Sequence, residues 1–361
     1  WYTWNLYKQT PAGKEKIKYF SKAEGYDLFK GYCPHANFIP NGLYNDWLES
    51  IYCYGVSDCE QPTSLNEAKL LYTSLITLGI RIEEQQWIPA NDFKNMLGII
   101  QPVSYVLSKF APEYFFPYLF LCRIFELNKI ADFFNIDLPD MPKRTDYKGR
   151  CMYYCELCEA FYQFRKENKL SPEELWAFLY DFAPNNIVNE NTEIPKPSQV
   201  WFIGGLLYEE DRLLESKFWQ SSPETKRGDI LIHYETSPVS AITCIETSLT
   251  DGVIDPLFRY YGCIYIGNRI SIPHITLNEL KTDEYFSNHS LVRKNFQGVN
   301  GWQSTGKDYL ELLRMIKGKG FDSDTLPQLY APTMPEGVNI ECERDVEKQL
   351  LEPLLNSMGW Y

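Results

Sequence analysis

The chain has 361 residues, 44% of them apolar and 16% aromatic, and a formal net charge of −13. That length exceeds one ordinary core, so two or three domains are expected, and the apolar content excludes global disorder. The acidic balance excludes a uniformly basic nucleic-acid coat, though a local basic patch remains compatible with it.

The opening Trp1-Tyr2-Thr3-Trp4 lacks a basic region followed by an apolar core, so no signal peptide is expected. Residues 1–190 read as a helical domain. Ser64 and Glu67 form a capping-box pattern at the head of "SLNEAKLLYTSLITLGIRI", and Leu71, Leu75 and Leu78 follow at helical spacing. "APEYFFPYLFLCRIFELNKIADFF" and "TDYKGRCMYYCELCEAFYQFRKEN" continue the helical theme, and Ser171-Pro172 starts another helix. The apolar run from Tyr114 is broken by Pro117 and carries Arg123 and Glu126, so it is too short and too charged to span a bilayer. The aromatic stripes are read as core.

Cys151, Cys155 and Cys158 have the C-x3-C-x2-C spacing of an open iron–sulfur site, but they fall inside an uninterrupted helical pattern. They are read as one buried helical stripe of reduced thiols in a cytoplasmic protein. His35, His233, His274 and His289 have no ligand partner at metal spacing, and no dinucleotide or phosphate-loop glycine motif is present. No metal, cofactor or catalytic residue is therefore expected. The densest basic run, "PKRTDYKGR" at 142–150, is read as a solvated loop or a contact to a partner or DNA backbone.

"NENTEIPKPSQ" at 189–199 reads as a linker, and the pattern then turns strand-like. "QVWFIGG", "DILIHY", "SAITCIE" and "YYGCIYIG" are short β-rich runs, and "TGKDYLELLRMIKGKG" closes the region as a helix with Leu310, Leu313 and Ile316 on one face. About 120 such residues suit a small curved barrel. Residues 321–340 read as a second linker, and "ERDVEKQLLEPLLNSMGWY" begins a further helix. Residues 201–320 carry 13 basic and 15 acidic side chains, whereas 321–361 carry 2 and 8, so much of the acid excess lies in the tail. The fold class expected is multidomain α+β: a helical domain (1–190), a curved β-barrel with flanking helices (199–320), then a linker and one helix (321–361).

"VWFIGG", "FW" at 218–219, "RGDILIHYETSP", "DPL" at 255–257, "ITLNELK" and "NHSLVRKNFQG" follow one another in that order. This series resembles the EVE domain of the PUA and YTH-like superfamily, over about residues 199–320. The first strand departs from the family, with Phe202-Ile203-Gly204-Gly205 where many members have a charged segment. The resemblance implies a PUA-like barrel that accepts a flipped base. It implies Trp219 and Tyr234 as stacking faces, with Ser237, Gly204, Gly205, Asn295, Phe296 and Gln297 around the base edge. Lys226, Arg227, Arg293 and Lys294 are the expected phosphate contacts. The expected partner is DNA carrying modified bases, with RNA as the alternative, and no membrane.

The last 20 residues resemble the first helix of restriction-endonuclease-like nuclease domains, including those of type I restriction subunits, with Glu347 as the helix carboxylate. The Asp and Glu-x-Lys ligands of such a nuclease are absent, so this chain is expected not to cut DNA. The function expected is the front part of a modification-dependent restriction or defence protein. The alternative is an RNA- or nucleotide-binding regulatory module without nuclease relatives.

Overall fold

Ser64, Ser171, Thr276 and Thr305 each turn an extended backbone into a helix by accepting a hydrogen bond from the amide three residues on. At Ser171, Thr276 and Thr305 the third residue bonds back to the cap, completing the box. At Ser64 it does not: the Glu67 carboxylate reaches one residue further, to the Thr63 amide and hydroxyl. These elements belong to a computed structural model that describes residues 1–33, 39–81, 87–188, 193–258, 262–329, 340 and 342–357.

The first half is helical. Helices α1 (Tyr2–Tyr7), α2 (Pro11–Lys22), α3 (Gly25–Tyr32), α4 (Asn41–Ile51) and α5 (Leu65–Leu78) lead into a small hairpin, β1 (Gly79–Arg81) with β2 (Trp87–Pro89). Then come α6 (Phe93–Met96), α7 (Ile100–Phe110), α8 (Ile124–Phe134), α9 (Tyr147–Glu167) and α10 (Pro172–Ala177). The hairpin was not anticipated. The run from Ala111 is not helical before Ile124 either; Pro117 lacks the amide a helix needs and its residues pass through the core in irregular form. Helix α5 buries Ala68, Tyr72, Leu75 and Ile76, leaving Leu78 exposed, so its inward face is rotated from the leucine spacing. Cys151, Cys155 and Cys158 do form one buried stripe on α9, and burial pushes their thiols upward, to about 12 for Cys151 and about 11 for Cys155.

The second half is a curled half-barrel. Its strands are β3 (Val200–Gly204), β4 (Ser216–Gln220), β5 (Ile230–Glu235), β6 (Ala241–Ser248), β7 (Val253–Ile254), β8 (Gly262–Thr276) and β9 (Trp302–Ser304). They lie in the order β4-β8-β6-β5-β3-β9, with β7 on β8; β3 and β5 are parallel and the other pairs antiparallel. Register shifts along β6 on both sides let the long β8 curl. Helices α11 (Glu209–Arg212), α12 (Leu277–Thr282), α13 (Ser290–Arg293) and α14 (Gly306–Gly318) accompany the sheet.

Period-2 alternation divides this half into two cores. Val200, Phe202, Ile230, Ile232 and Tyr234 meet α12–α14 on one face. Trp201, Ile203, Leu231, Ile264 and Ile266 meet on the other, with Trp219 packed against them. Helix α14 buries Tyr309, Leu312 and Ile316 while Leu310 is exposed, so again the inward face is one position away from the expected one. The segment after α14 is less of a linker than its composition implied: Leu326 is buried in the helix-covered core, and Tyr309 donates to the Pro327 carbonyl. Helices α15 (Glu343–Val346) and α16 (Glu352–Ser357), joined by a wide turn, bury none of their described residues.

The two halves meet at residues 253–258. Asp255 caps its own loop, accepting from the amides of Leu257 and Phe258, and also accepts from the Tyr118 hydroxyl. Leu257 enters the helical core, and Arg150 Nε donates to the Pro256 carbonyl at 2.8 Å. Among the described residues no helix is long and apolar enough to cross a membrane.

Candidate nucleic-acid interface

Asp229 explains why a Gly-Asp pair opens β5. Its buried carboxylate accepts from the Trp201 indole at 2.9 Å, and from the amides of Gln199 and Lys226. Gly228 has φ +97° and lies so close to the Pro195 carbonyl that a Cβ would come within 2.5 Å of it. The Trp of the first strand and the Gly-Asp of the second are therefore one hydrogen-bonded unit that sets the parallel register of β3 on β5. That role is structural.

The opposite end of the β3/β5 pair collects most of the expected site. Gly204 packs so tightly on Val299 that a side chain there would collide with it. Gly205, at φ +154°, lies under the Trp219 ring, where a Cβ would approach the ring to 2.5 Å. Asn295 and Phe296 both take left-handed φ, +51° and +58°, which turns the Phe296 ring inward. Phe296 stacks on Tyr234 with centroids 4.0 Å apart and planes 5° apart. Gln297 and Ser237 are exposed, and the Ser237–Pro238 bond is cis.

The structure does not bring Trp219 and Tyr234 into one sandwich. Tyr234 is 3% exposed within the helix-covered core, already stacked, whereas Trp219 packs on the other face of the sheet. The cause is alternation on β5: His233 shares the Trp219 face, and Tyr234, next along the strand, points away. Phe296 is likewise occupied as Tyr234's partner. The phosphate contacts divide too. Arg293 and Lys294 are exposed beside the 295–297 turn, but Lys226 and Arg227 lie before β5, at its far end. Arg227 is already engaged there, its guanidinium donating to the Glu193 carbonyl and its amide to Asp251.

Residues that the sequence reading did not select occupy the Trp219 face. His233 is fully buried, and its Nδ1 lies 2.8 Å from Glu246 Oε2. Arg269 Nε donates to the other carboxylate oxygen at 2.7 Å. A carboxylate held by a guanidinium accepts, so His233 Nδ1 carries the proton toward it, leaving Nε2 as the free ring nitrogen. That Nε2 is buried and has no hydrogen-bond partner among the described residues. The imidazole and the Trp219 indole lie 4.8 Å apart, tilted by 60°, and the Lys217 ammonium stands 4.6 Å over the same indole. Next along, Arg212 pairs with the buried Glu235 at 2.6 Å. Burial would raise the Glu235 carboxyl, but hydrogen bonds from Thr243 and Arg212 outweigh it and leave the group below its ordinary range.

His233, Cys244 and Glu246 lie within 4.8 Å of one another, a spacing compatible with a metal ion. Glu246 is already held by Arg269 and His233, so an ion there would have to displace the guanidinium; without an ion, burial and then the Glu246 charge push the Cys244 thiol up to about 12. The arrangement is a half-buried indole between Gly205 and Lys217, a sealed imidazole nitrogen without a partner among the described residues, and a rigidly held carboxylate.

No protein-family model matches this chain, and no curated protein matches it. Among solved structures, the NMR structure of Rpa0253 from Rhodopseudomonas palustris is similar over 33% of this chain and 93% of its own, at 13% identity and a TM-score of 0.29. A likeness of that size carries no inference about the site.

Proposed function

We propose that residues 199–320 are an EVE-like reader of the PUA superfamily that binds a flipped, modified base on the Trp219 face of the half-barrel. One observation supports this reading above the rest: the buried His233 Nε2 has no partner beside a half-buried indole that Gly205 leaves room for. A buried nitrogen without a partner is costly, and a base edge that displaces the cover over His233 would supply the missing hydrogen bond. The Glu246–Arg269 pair holds the imidazole in one tautomer, so the edge it meets is specified in advance. Trp219 supplies the π-face, and Lys217, Arg293 and Lys294 the cationic approach for phosphate. Tyr234 and Phe296 act as the packing that holds the 295–297 turn against the strand ends.

The test is a titration of fluorescent duplexes carrying 5-methylcytosine or 5-hydroxymethylcytosine against the unmodified duplex. Trp219→Ala should lower affinity for the preferred duplex by about 1–3 kcal/mol, the usual worth of one stacked base, and His233→Ala by about 1–3 kcal/mol through the lost hydrogen bond. Equal binding of modified and unmodified duplexes would remove the modification from the proposal. Full affinity in both variants would remove the site.

The wider proposal is a modification-dependent restriction or defence protein, in which the 343–357 helix corresponds to the start of a nuclease domain. One helix cannot assemble a two-carboxylate metal centre. Specific Mg-dependent cleavage by the 361-residue chain would overturn that account.

A further inference from the structure

A cavity of about 570 Å³ lies at the seam between the helical half and the 255–258 loop, away from the Trp219 face. Small-molecule sites commonly enclose roughly 300–1,000 Å³. Its walls are mostly apolar and include Phe29, Leu97 and Tyr118 from the helical half and Leu257 and Phe258 from the sheet half. Two polar groups in this lining are unmatched. The Gln101 side chain is 5% exposed; its Oε1 accepts from the Tyr44 hydroxyl at 2.7 Å, and its Nε2 has no partner among the described residues. The Trp47 indole N–H is buried and equally without a partner. Both atoms are closed off from the cavity as it stands, so the side chains must turn toward an occupant to reach it, and as donors they select acceptors.

The charge of the lining is one-sided. Lys94, Arg144 and Arg150 contribute to it and no carboxylate does. Arg150 is committed to the seam through the carbonyls of Pro256 and Arg144. Lys94 and Arg144 are exposed, and neither makes an ion pair among the described residues. In a chain with a net charge of −13, two such cations beside an apolar cavity with two spare donors form an unusual local grouping.

We propose that this cavity binds a small anionic ligand with a flat apolar ring: the ring between Phe29, Tyr118 and Phe258, ring acceptors on Trp47 and Gln101, and a carboxylate or phosphate on Lys94 and Arg144. Because both halves of the molecule contribute walls, the ligand ties the 255–258 loop to the helices. This inference stands apart from the base-reading proposal.

Calorimetric titrations of the full chain test it with three probes: 2-naphthoate, its uncharged analogue 2-naphthamide, and adenosine 5′-monophosphate. Saturable binding of an anionic probe is expected, with 2-naphthoate binding more tightly than 2-naphthamide. A response to the nucleotide alone identifies the source as a nucleotide, and a response to naphthoate alone as an aromatic acid. Lys94→Glu with Arg144→Glu, both at exposed positions, should weaken the anion by roughly tenfold or more, the usual scale for losing charge-assisted bonds, and leave the amide unchanged. Trp47→Phe keeps a ring but removes the donor, so it should weaken adenosine 5′-monophosphate, whose ring nitrogens accept, and leave the naphthalene probes nearly unchanged. Trp219→Ala should alter none of these titrations. Absence of saturable binding by both anions, or anion binding indifferent to both the charge reversal and Trp47→Phe, overturns the proposal.

Discussion

The two halves of this protein bury polar atoms in different ways. In the helical half the largest fully buried side chains are aromatic, and three of the phenols are satisfied one at a time by nearby carbonyls: Tyr72 by Cys151, Tyr154 by Phe116, Tyr180 by Pro117. The polar tip is there because the ring is there. In the half-barrel, buried carboxylates organise their surroundings instead: Asp229 joins two strands, Glu246 holds His233 and Arg269, and Glu235 holds Arg212. A core in which charges set the positions of neighbours is pre-organised for recognition. A core in which rings set them is built for stability.

The sharpest way to break this comparison is to delete one central group from each half. Phe120→Ala and Glu246→Ala should each cost about 3–5 kcal/mol, the first through a cavity, the second through loss of the acceptor shared by the buried His233 imidazole and the part-buried Arg269 guanidinium. Their rescue should differ. Adding Arg269→Met and replacing Glu246 by Leu should recover part of the loss, because the cation is removed with its partner while the His233 Nδ1 stays unpaired; no second change next to Phe120 should recover any. Urea unfolding of the single and double variants measures this, and equal rescue in both halves would erase the distinction.

Tyr234→Ala separates packing from reading within the half-barrel. Its ring is stacked on Phe296 in the helix-covered core, so the variant should lose about 2–4 kcal/mol of stability. Base affinity of the folded variant should change less than in Trp219→Ala. A larger effect on affinity than on stability would return Tyr234 to the binding surface.

How far the sequence reveals these differences depends on what sets each feature. The three cysteines on α9 were legible because a helical period is local, and so were the Ser171 cap and the strand at 230–235. Three misreadings have tertiary causes. Leu78 and Leu310 obey a helical spacing, but the neighbours of α5 and α14 select a face rotated from it. The Tyr114 run looked helical by composition, and Pro117 with surrounding contacts holds it irregular. Trp219 and Tyr234 looked like partners because both are aromatic and flank the same strands; strand alternation puts them on opposite faces. One further signal lies in the strand sequence itself. Glu246 is a lone charge in the apolar strand "AITCIETS", and its pairing with the neighbourhood of His233 follows once β5 and β6 are set antiparallel.

The seam between the halves has its own pH signature. Burial pushes the Asp255 carboxyl up to about 6, partly offset by the amides of Leu257 and Phe258 and the Tyr118 hydroxyl. An unfolded aspartate titrates near ~3.9, so the folded state binds this proton more tightly. Its contribution therefore falls as pH rises from about 4 to about 6, by on the order of 1.4 kcal/mol per unit, and is level above that window. Asp255→Asn keeps the carbonyl that caps the loop and removes the titration. Thermal midpoints of wild type minus variant should decline across that window; a flat difference would place the Asp255 charge in contact with water.

The smallest expected effect tests the two ends of the half-barrel against each other. Arg293 and Lys294 flank the turn beside Gly204 and Phe296, whereas Lys226 and Arg227 precede β5, whose six residues span about 20 Å. If the base enters at the Gly205 end, only the first pair lies near the phosphates on either side of it. Each true phosphate contact adds about 0.9 to the slope of log affinity against log salt. Arg293→Glu and Lys294→Glu should therefore flatten that slope by about one each, and Lys226→Glu should leave it unchanged. Arg227 is a poor probe, because its bonds to Glu193 and Asp251 are structural. An unchanged slope in Arg293→Glu and Lys294→Glu, with a flattened one in Lys226→Glu, would reverse the polarity of the site and move the base to the Asp229 end.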